Sequence, residues 1–286
     1  MKKVALFLHA TRAIAAQLGR SLATELSSHG IEVVALPEDA GRLGAPVVAT
    51  PAAGLSGTEL ALVLGGDGTM LRAAALFHES GTALLGVNLG RLGFLTQLER
   101  DEVSGALEKI LADGFEVEER MTLEGEVFTA GEVIERLWAL NDIIVEKLSP
   151  GRMIKLGVAI NSVPFTSFGA DGLIVATPTG STAYSFSAHG PVISPSLDCM
   201  VLTPVSAHML FDRSIVVRPD ETIEITVLPD PDAVSLILDG RKGIELAAGA
   251  MVRIRAGKTR VRLARVSEPP FWTLVRTKFG LKGSDD

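Results

Sequence analysis

Short apolar runs alternate with a helical pattern at the start of the chain. Residues 4–8 and 31–36 are apolar runs, and between them Ile or Leu recurs every four residues from Ile14 to Leu26. A strand, a helix and a second strand in this order predict a parallel sheet covered by helices. Residues 37–58 are rich in Gly, Ala and Pro without a sustained period, which predicts mostly loop.

The next apolar run, residues 60–64, leads directly into Gly-Gly-Asp-Gly-Thr at residues 65–69 and then into a helical pattern. Another apolar run at residues 83–87 leads into a second glycine-punctuated loop at residues 88–95. Parallel strands that are joined by crossovers end at the same edge of their sheet. We therefore expect both loops at the carboxyl edge, where open α/β sheets bind ligands.

The pattern changes after about residue 115, where short segments of alternating apolar and polar residues dominate. They lie at residues 133–140, 143–145, 156–160, 222–227, 234–238, 252–255 and 261–263. Many short strands at turn-length spacing indicate an all-β sandwich. We predict a Rossmann-like α/β domain at residues 1–116 and a β-sandwich domain at residues 117–267. The tail, residues 268–286, is expected to be partly helical and to pack back on the first domain.

Composition narrows the function classes. The 286 residues carry 47% hydrophobic and 21% charged side chains with a formal net charge of −7, which gives no electrostatic footprint for nucleic-acid binding. Cys199 is the only cysteine, so no internal disulfide forms, which fits a reducing compartment. Residues 172–197 lack charge but are rich in Ser, Thr, Gly and Pro, which is atypical of a membrane span. We expect a cytoplasmic protein.

Asp67 stands among glycines at the end of a predicted strand. Glycines let the backbone approach a ligand closely, and the N–H groups at a helix start attract phosphates. A carboxylate repels phosphates, so Asp67 needs another role. It can accept the proton of a hydroxyl that attacks a phosphoryl group, help to hold a divalent metal on a triphosphate, or cap the helix.

A second candidate segment lies inside the β region, at residues 169–187. A predicted strand leads into Thr-Pro-Thr-Gly, after which Ser181 or Thr182 is expected to start a helix whose first turn exposes hydroxyls and amides. Small polar residues at a helix start suit the base, ribose and phosphates of a nucleotide. The alternative is an ordinary capped turn.

Four motifs together resemble the signature set of the NAD kinases in order and spacing. They are Gly-Gly-Asp-Gly-Thr at 65–69, Asn-Asp at 141–142, Asp-Gly at 171–172 and Thr-Pro-Thr-Gly-Ser-Thr-Ala-Tyr at 177–184, and the loop at 88–94 also matches. The first motif alone also occurs in phosphofructokinases and in diacylglycerol and sphingosine kinases, whereas the last is far more specific.

The resemblance implies an α/β domain followed by a β domain, and transfer of a phosphoryl group from ATP to the 2′-hydroxyl of the adenosine ribose of NAD, giving NADP. In some bacterial members polyphosphate replaces ATP. The resemblance also implies a homodimer or homotetramer. The metal that it implies is Mg²⁺ or Mn²⁺, which arrives with ATP and is not fixed by the protein. Neither a nucleic-acid nor a membrane partner is expected.

The resemblance also assigns roles to individual residues. Asp67 would be the catalytic base, Asn141 and Asp142 would bind ribose hydroxyls and the base edge, and Asp171 would hold the other nucleoside half. The complete set expected to bind NAD or ATP is Gly66, Gly68, Thr69, Arg72, Phe94, Asn141, Asp142, Arg152, Asp171, Thr182, Ala183, Tyr184, Ser185, Ser187, Ala207 and Arg241.

Three positions depart from common versions of the family. Many members have Glu where Asp142 stands, some have a basic residue where Gly169 stands, and some have Gln where Arg241 stands. Two other function classes compete with this interpretation. One is a lipid or sugar kinase that shares the first motif, and the other is a nucleotide-sensing binding module in which Asp67 is structural.

Overall fold

The computed structural model describes residues 1–90, 93–149, 152–229, 234–266 and 271–282. The chain forms two compact units, which we call the first unit (Met1–Glu119 with Val261–Asp286) and the second unit (Arg120–Arg260). Arg91 and Leu92 of the second glycine-punctuated loop lie outside the described residues, as do residues 268–270 and 283–286 of the tail.

The first unit begins as alternating strands and helices. Its first strands are β1 (Lys3–Leu8), β2 (Glu32–Ala35), β3 (Val48–Ala49), β4 (Leu60–Gly65), β5 (Ala83–Asn88), β6 (Leu98–Glu99) and β7 (Glu116–Arg120). Its first helices are α1 (Ala13–Ser28), α2 (Pro37–Leu43), α3 (Asp67–Phe77) and α4 (Val103–Asp113).

Strands dominate the second unit. They are β8 (Leu123–Thr129), β9 (Glu132–Ala139), β10 (Asp142–Lys147), β11 (Ile154–Ile160), β12 (Val163–Ala170), β13 (Gly172–Ala176), β14 (Met200–Val205), β15 (Ile215–Val217), β16 (Ile223–Val227), β17 (Val234–Leu238), β18 (Arg241–Leu246) and β19 (Met251–Ala256). The one-turn helix α5 (Tyr184–Ser187) follows β13. The chain then returns to the first unit as β20 (Val261–Arg265) and α6 (Phe271–Phe279).

A parallel-containing sheet forms the centre of the first unit. Its strand order is β3-β2-β1-β4-β5-β20-β7, with β6 paired to β5. The central strands β1, β4 and β5 are parallel and almost fully buried, as expected for apolar runs covered by helices. Leu22 and Leu26 of α1 belong to the core on this sheet, which confirms the helix inferred from their spacing.

Two predictions were wrong, namely that residues 37–58 are mostly loop and that residues 261–263 belong to the sandwich. Residues 37–58 contain helix α2, the short strand β3 and a 3₁₀ turn. Helix α2 forms despite its composition because Pro37 occupies the first turn, two acidic residues follow it, and Gly44 ends the helix with φ of 74°. Residues 261–263, expected in the sandwich, pair in parallel with β5 as part of β20.

The second unit is a β-sandwich. One six-stranded antiparallel sheet has the order β15-β14-β13-β10-β17-β18, and the other has the order β12-β11-β16-β19-β8-β9. Their inward-facing side chains form one core, in which Val145 and Val175 from the first sheet join Leu156 and Val252 from the second. The predicted fold class, an α/β unit with an all-β sandwich, is confirmed.

Among the described residues, no helix combines the length and the apolar character needed to cross a lipid bilayer.

Candidate functional site

Asp67 lies where β4 ends and α3 begins. Strands β4 and β5 are paired in parallel up to Gly65 and Asn88, so the loops that follow them leave the same edge of the sheet. Asp67 is the first residue of α3, and Gly66 occupies the N-cap position without a side-chain hydrogen bond. Asp67 therefore does not cap its own helix, which removes the simplest structural role for this carboxylate.

The carboxylate of Asp67 is bonded to the loop after β5. Its Oδ2 accepts the backbone N–H of Phe94 at 2.8 Å, and its Oδ1 accepts that of Leu95 at 3.0 Å. A Cβ atom at Gly93 would collide with this carboxylate, so only glycine permits the close approach. The two bonds hold the side chain in one orientation and leave lone pairs on both oxygens for a further donor.

The glycines around Asp67 differ in their surroundings. A Cβ at Gly66 or Gly68 would meet no atom within 4 Å, so these two glycines border open space. Thr69 is buried, and its side chain packs so closely on Gly65 that a Cβ there would collide with it. Thr69 thus supports the turn from below, whereas Gly66 and Gly68 present backbone to the open side.

The two other predicted site residues of the first unit lie nearby in the fold. Arg72 is exposed on α3, with its guanidinium carbon 5.1 Å from the centre of the Phe7 ring. The half-buried ring of Phe94 lies 6.3 Å from that of Phe271 and 6.0 Å from that of Phe279, both in α6. Phe94 therefore contributes its backbone N–H to Asp67 and its ring to the packing of α6.

In the second unit, strand pairing brings two of the predicted motifs together. Asp142 at the start of β10 is opposite Ala176 at the end of β13, so Asn141 lies beside the Thr-Pro-Thr-Gly turn. The N–H of Thr177 donates to the Asn141 carbonyl at 2.9 Å, and the hydroxyl of Thr177 donates to the Leu140 carbonyl at 2.6 Å. A Cβ at Gly180 would collide with the Asn141 backbone.

A hairpin turn that the sequence analysis did not single out holds this region. Asp239 and Gly240 connect β17 to β18 with φ of 49° and 72°, as in a type I′ turn. The Asp239 carboxylate accepts the backbone N–H groups of Leu140, Asn141 and Asp142 at 2.9, 2.7 and 3.2 Å. The Asp-Gly dipeptide between two strand patterns is the signal that could have revealed it.

Asp142 is 3% exposed, and its environment disfavours a negative charge. Burial, and secondarily the negative charge of Asp239, raises the pKa of Asp142 to about 7. Burial also raises the pKa of Asp239, although its three backbone N–H donors oppose that shift. Asp142 is thus the carboxyl of this pair that binds a proton near neutral pH, and it can then donate a hydrogen bond.

The other end of β13 holds a second polar cluster. Gly172 pairs with Glu146 of β10, which places Asp171 beside Lys147, and the Lys147 Nζ lies 2.6 Å from the Asp171 Oδ1. The phenol of Tyr184 is hydrogen-bonded to the Glu146 carboxylate. Burial, and then the charge of Asp171, raises the pKa of Glu146, while the bond from Tyr184 opposes this.

The turn after Thr-Pro-Thr-Gly differs from the expected helix. Residues Gly180–Thr182 form one 3₁₀ turn, and α5 is a single turn without a side-chain cap. Ser181 is fully buried and its hydroxyl donates to the Pro178 carbonyl at 2.6 Å, while Ser185 is fully buried and bonded to the Thr203 hydroxyl at 3.0 Å. These hydroxyls support the turn from within, contrary to the exposed role expected for them.

The remaining predicted residues of the second unit occupy varied positions. Tyr184 and Ser187 are exposed, whereas Thr182 and Ala183 are half-buried. Ala207 packs against the sandwich core. Arg152 and Arg241 are exposed.

Within the described ranges, no group of three or more His, Cys, Asp or Glu side chains is arranged to hold a metal ion. The carboxylate oxygens of Asp67 are of the type that Mg²⁺ prefers, but a single carboxylate does not form a binding cage.

Known proteins match nearly the whole chain. Residues 4–115 match the family model of the ATP-NAD kinase N-terminal domain, and residues 140–266 match that of the ATP-NAD kinase C-terminal domain. An NAD kinase from Thermobifida fusca is 41% identical over 98% of this chain and 90% of its own length. One from Moorella thermoacetica is 42% identical over 91% of this chain and 83% of its own length.

The chain belongs to the NAD kinase family. Solved structures with the NAD kinase fold agree in architecture. A yeast NADH kinase complexed with NADH has a TM-score of 0.91 at 22% identity, covering 99% of this chain and 89% of that chain. An NAD kinase from Archaeoglobus fulgidus in complex with ATP has a TM-score of 0.73 at 23% identity, covering 98% of this chain and 100% of that chain.

Three residues that the motifs did not assign to the site contact the residues that the motifs did assign. Gly93 permits the approach to Asp67, Asp239 holds three amides around Asn141, and Glu146 bonds Tyr184. Asp239 and Glu146 lie outside the matching segments, and Gly93 lies in the matching loop at residues 88–94 without having been assigned a role. The Asp-Gly dipeptide signals the turn at Asp239, but the contacts of all three residues are seen only in the folded structure.

Proposed function

We propose that the chain transfers the terminal phosphoryl group of ATP to the 2′-hydroxyl of the adenosine ribose of NAD, forming NADP, with Asp67 as the general base. The observation that carries the proposal is the state of the Asp67 carboxylate. Two loop amides fix it, it caps no helix, and glycines with open space flank it.

General-base catalysis by Asp67 needs to supply only part of the rate enhancement. A ribose hydroxyl is a poor nucleophile, and a carboxylate that accepts its proton as the bond to phosphorus forms supplies about two to four powers of ten in rate. Positioning of the two substrates and stabilisation of charge on the transferred phosphoryl group supply the rest. The two hydrogen bonds from backbone N–H groups support this role because they fix the orientation of the carboxylate before substrate binds.

Substrate binding is proposed for the exposed and half-buried members of the predicted set and for the buried Asp142. Asn141 and Asp142 bind ribose hydroxyls, and a protonated Asp142 is suited to donate a hydrogen bond to one of them. Asp171 binds the other nucleoside half, and Thr182, Ala183, Tyr184 and Ser187 surround a base. Gly66, Gly68, Arg72, Arg152 and Arg241 contact nucleotide phosphates or ribose. The names of the relatives, NAD kinases, support NAD as the substrate that these residues would bind.

For Thr69, Phe94, Ser185 and Ala207, the structure favours indirect roles. Their side chains are buried or packed against neighbouring elements, and we propose that they position the segments that carry the contacts. Mg²⁺, or Mn²⁺ in its place, enters with the phosphates of ATP and neutralises their charge.

We also propose self-association into a homodimer or homotetramer in the cytoplasm. Val163, Phe165, Leu210 and Phe211 of the second unit are exposed, and a concentration of exposed apolar side chains suits an interface. Polyphosphate as an alternative donor remains part of the proposal.

A coupled assay tests the function. The purified protein is incubated with ATP or polyphosphate, crossed with NAD, NADH or diacylglycerol, and NADP(H) is measured enzymatically. We expect NADP from ATP and NAD. Phosphorylation of the lipid alone would contradict the proposal in favour of a lipid kinase, and NAD binding without any product would favour a sensing module.

A further inference from the structure

The loop between β1 and α1 carries an arginine that reaches across the sheet edge. Strand β4 lies between β1 and β5, and the N–H of His9 bonds the Leu64 carbonyl at the end of β4. From the same loop, Arg12 Nη1 donates to the Leu89 carbonyl after β5 at 2.6 Å. The Arg12 side chain therefore spans the carboxyl end of β4, where Gly65 and Gly66 begin the turn to Asp67.

Arg12 is fitted closely into this position. A Cβ at Gly90 would lie 2.7 Å from the Arg12 Nη1 and 3.3 Å from its Nη2, so the loop after β5 lies directly against the guanidinium. The Leu89 carbonyl is the single hydrogen-bond acceptor found for Arg12 among the described residues. Within the described part of the chain, the other N–H groups of this guanidinium have no acceptor, which suits them to bind a ligand.

At the carboxyl edge of this sheet, arginine side chains outnumber the described carboxylates that pair with them. Arg42 is occupied by Asp39 at 3.3 Å and by the backbone carbonyls of His9 and Arg12. Across the described ranges, no carboxylate lies within 4.0 Å of the guanidinium of Arg12 or Arg72. The carboxylate of Asp67 is bonded to amides of the loop after β5.

The ring of His9 organises the loop that presents Arg12. Its Nδ1 is 3.3 Å from the backbone N–H donors of both Thr11 and Arg12, so Nδ1 is an acceptor and a neutral ring carries its proton on Nε2. Burial, and then the charges of Arg12, Arg72 and Arg42, lowers the pKa of His9. His9 therefore stays neutral at pH 7 and keeps both backbone bonds.

We propose that Arg12 and Arg72 form a subsite for the phosphate chain of the phosphoryl donor, and that His9 positions Arg12 within it. The inference rests on the proposed function and adds Arg12 and His9 to the residues that the motifs assign. Two arginines without a carboxylate partner, beside open glycines, suit a ligand with several adjacent negative charges. The shared chemistry is a run of phosphates, whether in ATP or in inorganic polyphosphate.

The test compares Arg12→Gln with Arg262→Gln in the full-length protein. Arg262 is a matched control because it also lies in the first unit and donates to a loop carbonyl, that of Gly81 at 2.6 Å, but at the amino end of β5. The KM for ATP, the KM for NAD, and the inhibition of the ATP reaction by inorganic tripolyphosphate are measured for each variant. Circular dichroism and thermal melting check the fold.

For Arg12→Gln we expect the KM for ATP to rise about tenfold, and tripolyphosphate inhibition to weaken by a similar factor, because a charged hydrogen-bond donor to phosphate is lost. The KM for NAD should stay within about twofold of the value for Arg262→Gln. Arg12→Lys keeps a charge and should lie between the wild type and Arg12→Gln for both phosphate ligands.

Other outcomes overturn the inference. Equal changes in the KM values for ATP and NAD, a change for ATP without one for tripolyphosphate, or no difference from Arg262→Gln would each do so. If Arg12→Gln fails to fold, calorimetric binding of tripolyphosphate to Arg12→Lys decides, and wild-type affinity contradicts the subsite. Failure of the proposed function is distinguishable, because the wild type would then form no NADP from ATP and NAD.

The positioning role of His9 has its own readout. The Oδ1 of Asn can occupy the place of the His Nδ1, so His9→Asn should restore the KM for ATP that His9→Ala raises. Equal defects in the two variants would show that the acceptor at this position does not matter.

Discussion

At the scale of the residue, two aspartates of the proposed site experience opposite surroundings. Asp67 is half-buried, and hydrogen bonds from two backbone N–H groups fix its carboxylate. The flanking Gly66 and Gly68 border open space. Asp142 is buried next to another carboxyl group, and its pKa is raised to about 7. The raised pKa of Asp142 suits it to keep a proton, whereas the role proposed for Asp67 is to accept one.

The raised pKa of Asp142 predicts a pH dependence of stability. The folded protein binds this proton more tightly than the unfolded chain, so the contribution is complete below the ordinary pKa of 3.8 and is lost as pH rises through about 7. Between pH 5 and 8, the wild type should lose about 2 to 3 kcal/mol of unfolding free energy relative to Asp142→Asn.

Urea unfolding of both proteins across this pH range measures the effect. Asp113→Asn, an exposed change at the end of α4, serves as the control and should run parallel to the wild type. A constant difference between the wild type and Asp142→Asn would show that Asp142 titrates below this window.

A second prediction at this scale concerns Gly93. In Gly93→Ala, the new methyl group would collide with the Asp67 carboxylate, so either the loop or the carboxylate must move. We expect kcat to fall about 10- to 100-fold, since a displacement of about 1 Å in a reacting group has effects of this order. Gly105→Ala is the control, because a Cβ there meets nothing within 4 Å. Full activity of Gly93→Ala would remove the claimed constraint.

At the scale of elements, apolar runs predicted the strands well because burial on both faces leaves a continuous signal. The pattern at residues 60–64 became β4, and that at residues 83–87 became β5. Helix α2 was not predicted. Its seven residues include Pro, Gly and four charged or small side chains, a composition typical of a turn, although the segment also carries helix-capping signals. Periodicity cannot detect an element shorter than its own window.

The site was predictable only in part for a related reason. Motifs identify residues that face a ligand, but Ser181 in the motif at 177–184 and Ser185 directly after it are buried. Their hydroxyls form hydrogen bonds within the second unit. Asp239 acts on Asn141 from nearly one hundred positions away along the chain. Pairing of β10 with β17 creates that contact, and no local pattern encodes it.

The Thr-Pro-Thr-Gly turn gives a prediction for an element. In Gly180→Ala, a Cβ would collide with the Asn141 carbonyl, which separates the turn from the start of β10. We expect the KM for NAD to rise about tenfold with a smaller change for ATP. Gly157→Ala is the matched control, because its nearest neighbour would be an atom of Leu228 at 3.5 Å. An unchanged KM for NAD in Gly180→Ala would contradict the proposed role of this contact.

At the scale of the whole molecule, the first unit is assembled from both ends of the chain. Strand β20 lies between β5 and β7 in the sheet, and α6 contributes Phe271 and Phe279 to the surroundings of Phe94. The alternating pattern at residues 261–263 predicted a strand of the sandwich, because such a pattern carries no information about which sheet the strand joins. Only its pairing with β5, which is distant along the chain, shows that this strand belongs to the sheet of the first unit.

This topology predicts that α6 stabilises the first unit. Phe271→Ala removes a ring 6.3 Å from that of Phe94, and we expect a loss of about 1 to 2 kcal/mol in unfolding free energy, less than for a fully buried ring. Leu281→Ala, which changes an exposed side chain beyond α6, is the control. Equal stability of the two variants in urea unfolding would show that α6 contributes little.

The most direct test of the account is the turnover of Asp67→Asn, measured as NADP formed from ATP and NAD, together with NAD binding by calorimetry. Asn keeps the shape of the side chain but cannot accept the proton of the ribose hydroxyl as a carboxylate does. The account predicts that kcat falls at least about 100-fold while NAD binds within about threefold of the wild type. Turnover equal to that of the wild type would contradict the assignment of Asp67 as the general base.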